Sequence, residues 1–160
     1  MPSILDPHLY PLALRSNHSL GAGLVELGLI TYSELDRALE LLQEPQSGEF
    51  LVEQSLIEIL KNDLRLLDEQ RVMECLAMSE DLQVYQSSEL EALESTLFSL
   101  QECQATWTIP FDCVDGVWRL ASAHYVSAFV RSFWKDRLGA QIRWYIADTQ
   151  SISRAFSLVS

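Results

Sequence analysis

The sequence predicts an α+β fold: a helical subdomain of two helical hairpins, spanning about residues 19–80, packed on a C-terminal ββαβα subdomain spanning 81–160. Three observations predict it. Apolar residues recur at helical spacing as far as Leu76. Beyond Thr106, β-forming runs alternate with turn signals. Composition also changes near residue 105. Residues 1–105 carry 19 acidic and 5 basic side chains, whereas residues 106–160 carry 4 and 6 and hold all four tryptophans, Trp107, Trp118, Trp134 and Trp144.

Residues 1–18 are interrupted by Pro2, Pro7 and Pro11 and are expected to be irregular. Leu20, Leu24 and Leu27 mark the inward face of a short helix that Gly28 ends, since glycine takes the left-handed cap conformation without a Cβ clash. Thr31 and Glu34 have capping-box spacing, and Leu35, Ala38, Leu39 and Leu42 form one stripe. Pro45 to Gly48 reads as a turn. A third helix is expected from about Glu49 to Asn62, with Val52, Leu56, Ile59 and Leu60 inward. A fourth follows Asp68 as N-cap, with Val72, Cys75 and Leu76 inward. These helices look like one pair repeated. Thr31, Leu35, Ala38 and Leu39 match Asp68, Val72, Cys75 and Leu76 at a constant offset. Leu20 and Leu24 match Leu56 and Leu60 at an offset one residue shorter, which implies one inserted residue in the second connecting turn.

Leu82 to Gln86 reads as a short strand, and Ser87 or Ser88 as the cap of a helix carrying Leu90, Leu93, Leu97 and Leu100. Thr106 to Asp112 and Val117 to Ser122 read as strands joined by the Asp115-Gly116 hairpin turn. Tyr125, Phe129, Val130 and Phe133 then share a helix face that stops at Gly139. Gln141 to Ala147 is a strand, and Asp148 or Thr149 caps a last helix with Ile152, Ala155, Phe156 and Val159 inward.

Net charge of -12 disfavours nucleic acid and anionic membrane surfaces as partners. No apolar run approaches the roughly 18 residues of a membrane span, and the N-terminus lacks the basic start of a secretory signal, so a cytoplasmic location is expected. Cys75, Cys103 and Cys113 are odd in number and widely spaced, which fits reduced thiols. With two lysines, Lys61 and Lys135, there is no phosphate-binding loop. Gly21-Ala22-Gly23 opens like a dinucleotide fingerprint, but Glu26 occupies the place of the third glycine. His8, His18 and His124 lack metal-ligand spacing and read as scattered surface histidines, and the carboxylates read mostly as exposed helix faces. No catalytic residue, metal site or cofactor is expected.

The run from Ser19 to Thr31, Ser-Leu-Gly-Ala-Gly-Leu-Val-Glu-Leu-Gly-Leu-Ile-Thr, followed by Glu34-Leu35 and Ala38-Leu39, resembles a family signature. It is that of the N-terminal domains of type II secretion and type IV pilus assembly ATPases. Ile109-Pro110, the Asp115-Gly116 hairpin, the Trp118 to Ala121 strand, Leu138-Gly139 and the Ile142 to Ala147 strand follow the C-terminal half of that family, so the resemblance covers about residues 19–158. It implies a non-catalytic module that docks on a secretion or pilus assembly component, with a second copy of the chain as an open alternative. Some members instead bind cyclic di-GMP through two copies of an R-L-G-x-x-L motif. Here the first copy keeps Leu20, Gly21, Leu24 and Gly28, with Ser19 in place of the arginine and Arg15 as its substitute. The second copy, Ser55 to Leu60, keeps neither arginine nor glycine. Arg15, Leu20, Gly21, Leu24 and Gly28 are therefore the contacts that the cyclic di-GMP alternative implies.

Overall fold

The structure, a computed structural model, describes residues 5–42, 55–85, 90–139 and 141–159. The chain enters through a 3₁₀ turn, Pro7–Leu9, which runs into α1, Tyr10–Glu26. Residues 7–18 are thus helical, contrary to the irregular segment expected. Pro7 and Pro11 sit in the first turns of these elements, where a helix has no use for the missing N–H. Asp6 supplies the cap, its Oδ1 accepting from the His8 N–H at 3.2 Å.

α1 ends where Gly28 turns left-handed at φ +74°, and the Leu29 N–H donates to the Leu24 carbonyl. Leu20 and Leu24 are buried, but Leu27 lies in the turn and is exposed, so it leaves the expected stripe. α2, Tyr32–Leu42, begins at the expected capping box. The Thr31 N–H donates to Glu34 Oε1 at 2.8 Å, and the Glu34 N–H to Thr31 Oγ1 at 3.2 Å. Leu35, Ala38 and Leu42 are its buried face.

The second pair departs from the first mainly in its first helix. Ser55 is extended and caps α3, Leu56–Glu58, so no helix runs unbroken from Glu49 to Asn62. Glu49, Val52 and the Pro45–Gly48 turn lie outside the described residues. α3 passes directly into a π turn, Ile59–Asp63, where the Leu64 N–H donates to the Ile59 carbonyl. The closing bond, from the Leu66 N–H to the Leu60 carbonyl, matches the bond from Leu29 to Leu24, and Arg65 at φ +54° matches Gly28. The inserted residue therefore sits in the widened helical turn and not in the connecting loop, the usual way a helix absorbs one extra residue. α4, Glu69–Glu80, starts at Asp68, whose Oδ1 accepts from the Gln70 N–H, and buries Val72, Met73 and Leu76.

The remaining elements are β1, Gln83–Val84; α5, Leu100–Thr106; β2, Thr108–Val114; β3, Val117–Ser122; α6, Ala128–Leu138; β4, Gln141–Ile146; and α7, Thr149–Val159. The sheet order is β1-β4-β3-β2. The β2–β3 pair is antiparallel, and β1 and β3 both run parallel to β4. The hairpin turn has positive φ at both Asp115 and Gly116, the geometry that matches strand twist. The expected helix through Leu90, Leu93 and Leu97 does not form. There the chain is drawn along the outer edge of β2, the Leu93 N–H donating to the Pro110 carbonyl. Helix starts only at Leu100, because Ser99 and Glu102 make a reciprocal capping box. Ser87 and Ser88 lie outside the described residues. Thr106 closes α5 and does not open β2, and Tyr125 precedes α6. The buried face of α6 is Val130, Trp134 and Leu138, with Phe129 and Phe133 only half-buried. The Trp134 indole N–H donates to Thr106 Oγ1 at 3.1 Å, so this fully buried ring leaves no polar atom unsatisfied. Asp148 caps α7, accepting from the Ser151 N–H at 2.6 Å.

Candidate functional site

The segment joining β3 to α6 is where the helical half meets the sheet. His124 adopts φ +74° there, a conformation that costs a branched or ring-bearing residue energy unless its surroundings hold it. Two polar clusters hold it, one on each side.

On one side, Tyr125 reaches into the first helix pair. Its hydroxyl donates to Asn17 Oδ1 of α1 at 2.5 Å and accepts from the Leu56 N–H at 3.1 Å. Ser55 Oγ lies 3.1 Å from the same oxygen, and Asn17 Nδ2 donates to the Ala13 carbonyl. Burial pushes the Tyr125 hydroxyl pKa up, so it stays a neutral donor. On the other side, His124 Nε2 donates to Glu69 Oε2 at 2.7 Å. The Thr149 N–H donates to the same oxygen at 2.7 Å, and Lys61 Nζ to Glu69 Oε1 at 3.0 Å. The Thr149 hydroxyl bonds to Glu58 Oε1, which closes the ring of contacts between the second helix pair and α7. Burial alone would raise the Glu69 pKa. The hydrogen bonds from His124 and Thr149, the His124 charge and the Lys61 bond outweigh it and hold the carboxyl down at about 2. Glu69 is therefore a carboxylate at neutral pH and the acceptor from His124. His124 Nδ1 is buried and has no partner among the described residues.

The sequence pattern marks neither Glu69 nor His124 as a site residue. The expectation of surface histidines fails at His124, which is 1% exposed, and that of exposed carboxylates fails at Glu69 and at Glu102, which bonds to Arg137 Nε at 2.5 Å. The one local signal was the position of His124 inside the apolar run from Leu120 to Val126. The thiols are free, with Cys103 buried and Cys113 exposed. Among the described residues, no cluster of His, Cys, Asp and Glu is arranged to hold a metal, and no helix is long and apolar enough to cross a membrane.

The residues of the cyclic di-GMP alternative do not converge. Leu20, Gly21 and Leu24 are buried between helices, whereas Arg15 and Gly28 are exposed and about 20 Å apart along α1. Arg15 stacks on Phe129 of α6, its guanidinium carbon 4.6 Å from the ring centre. At Gly21 a Cβ would lie 2.3 Å from Leu35 Cδ1 and 3.2 Å from Leu56 Cδ2. The small residue thus serves the close approach of α1 to α2 and α3.

No family model and no curated protein matches the sequence. Solved structures do. MshE, determined with cdg, aligns at TM-score 0.54 and 19% identity over 88% of this chain and 98% of that one. The N-terminal domain of XpsE aligns in two crystal forms. One gives TM-score 0.57 at 18% identity over 89% of this chain and 94% of the domain; the other gives 0.55 at 18% over 85% and 90%. The fold implied by the Ser19–Thr31 resemblance, that of secretion and pilus assembly ATPase N-terminal domains, is the fold present.

Proposed function

We propose that this chain is a non-catalytic docking module that works as an adaptor or regulator in a secretion or pilus assembly machine. The observation that carries the reading is the fold shared with the XpsE N-terminal domain over nearly all of that domain. The chemistry of the molecule supports it. Asn17, Ser55 and Glu69, buried polar groups of the helical half, are spent on joining it to the sheet half, and Glu69 is locked as an ion rather than poised for proton transfer near neutrality. Of the exposed large apolar side chains among the described residues, Leu27, Tyr32, Leu41 and Met78 lie on the helical half, which also carries the excess acid, and Leu97, Val114 and Leu158 on the other. That combination suits a partner surface with basic and apolar features. The working location is the cytoplasm. The test is capture of partners from the native cell at low and at high salt. Salt-sensitive recovery of an assembly component is expected; turnover of a metabolite by the purified chain would overturn the reading.

A second reading, cyclic di-GMP binding, is favoured by the MshE structure with cdg. It assigns contacts to Arg15, Leu20, Gly21, Leu24 and Gly28, and it requires α1 to expose leucines that are now core. Calorimetry with cyclic di-GMP decides it. Saturable micromolar binding that is lost in Arg15→Ala would put this reading first. Substitution of Gly21 is no test, because any side chain there displaces Leu35.

A further inference from the structure

The edge of the sheet at β4 is only half covered. β1 is two residues long and pairs with Tyr145 and Ile146 alone. From Gln141 to Trp144, β4 has no outer partner strand among the described residues. Backbone groups alternate in direction along a strand, and the Ile146 carbonyl accepts from the Tyr85 N–H on this side. Ile142 and Trp144 therefore turn backbone groups to the same edge, an arrangement that templates an added strand.

The edge opens into a groove of about 1060 Å³ that α6 and β4 line together, with Arg131, Lys135 and Arg143 among its walls and Asp136 as its acid. Arg131 is tied to Glu80 at 3.3 Å, but Lys135 and Arg143 have no ion-pair partner among the described residues. Neighbouring cations without an acidic partner among the described residues stand out in a chain with 23 acidic and 11 basic side chains. Parallel register also sets Arg143 directly beside Arg119. The two faces of the edge differ. Ile142 and Trp144 share a face with Trp118 and Leu120, whereas Arg143 points to the opposite face.

We propose that the open edge of β4 is a strand-addition site for an extended acidic segment of a partner protein. The proposal rests on the docking reading above and adds to the acidic helical face a second surface, on the sheet half. Acidic side chains of the added strand meet Arg143, and the alternate side chains lie over Ile142 and Trp144 beneath Arg131 and Lys135. A second copy of this chain is a poor occupant, because two-fold pairing of the edges would set these cations against their own copies. Glu91 and Glu94, the next described acidic residues after β1, flank Leu93, which is engaged elsewhere. By Leu93 the backbone is bonded to Pro110 of β2, at the other side of the sheet.

The test is an NMR titration of the ¹⁵N-labelled chain with the capped peptide acetyl-Glu-Val-Glu-Val-Glu-Val-amide and its lysine counterpart. Saturable shifts are expected at Ile142 to Trp144 and at the Trp144 indole. They should be at least about tenfold weaker with the lysine peptide and in the Lys135→Glu/Arg143→Glu double variant. Ile142→Pro removes an outward donor that β3 does not use and should abolish binding while the remaining spectrum is kept. No saturable shift at these residues, an equal response to both peptides, or a dimer that Ile142→Pro abolishes would each overturn the proposal. The outcome separates from that of the docking reading. If the peptide does not bind as described while the chain still captures the assembly partner, the edge is wrong and the adaptor stands; if no partner is captured while the peptide binds as described, the adaptor is wrong and the edge stands.

Discussion

In the first helix pair, the residue that opens the second helix is Tyr32, which is 70% exposed. In the second pair the same position is Glu69, 9% exposed and bonded to His124, Thr149 and Lys61. Both follow a polar N-cap, Thr31 and Asp68, and both precede matching apolar stripes. The repeated pattern thus sets the shape of each pair, while the surface each copy packs against sets the chemistry of its polar positions. The first pair joins the rest of the molecule through apolar packing of α1 on α5 and α6 and through the Asn17–Tyr125 contact. The second is anchored by a buried ion.

The two pairs differ most in energy at this polar position. Glu69→Ala should cost about 3–5 kcal/mol, because it leaves His124, Lys61 and the Thr149 N–H without an acceptor. Tyr32→Ala should change stability by no more than about 0.5 kcal/mol. Urea unfolding of the two variants measures both, and equal losses would mean that the ion does not distinguish the pairs. The same ion gives the protein an acid-sensitive term. The Glu69 pKa is about 2 when folded and near 4.5 when unfolded, so the unfolded chain binds more protons in between. The contribution is complete above pH 4.5 and disappears as pH falls towards 2, a loss of about 3 kcal/mol that Glu69→Gln should remove from the pH profile.

A smaller effect separates two glycines within the first pair. Gly21→Ala overpacks against Leu35 at a cost of about 1–3 kcal/mol, against a helix-propensity gain of about 1 kcal/mol. A net loss is expected. Gly23→Ala meets nothing within 4 Å and should show the gain alone. Thermal melting of both variants checks the signs. The smallest effect lies at the turns. Arg65 takes the left-handed conformation that Gly28 takes in the first pair, so Arg65→Gly should raise stability by about 0.5 kcal/mol in chemical unfolding.

What the sequence made legible was local. The Thr31–Glu34 box, the Asp68 cap and the Asp115-Gly116 turn each act within four residues, and each was read correctly. Leu90, Leu93 and Leu97 misled because helical spacing does not reveal that a neighbouring strand edge competes for the Leu93 N–H. Pro7 and Pro11 misled because proline breaks a helix interior yet suits its first turn. The seam was illegible for a different reason. Glu69 and His124 are 55 residues apart and meet only once the sheet exists, and at the start of a helix an acidic residue already has a local explanation in the helix dipole. The half-covered edge of β4 was hidden likewise, since it depends on a pairing between residues 83–84 and 145–146.

All four tryptophans lie beyond residue 105, and their settings are unequal: Trp107 and Trp134 are sealed, while Trp118 and Trp144 are half-buried. Tryptophan emission, excited at wavelengths tyrosine does not absorb, is therefore a reporter of the sheet half alone, whereas far-ultraviolet dichroism collects signal from helices in both. Heating under the two detectors shows directly whether the helical pairs let go before the sheet or with it. Trp144 sits in the wall of the groove, within reach of a soluble quencher that Trp134 never meets. Contact quenching thus divides the emission into a guarded component and an accessible one, and the accessible one dims or brightens when something lies down beside β4.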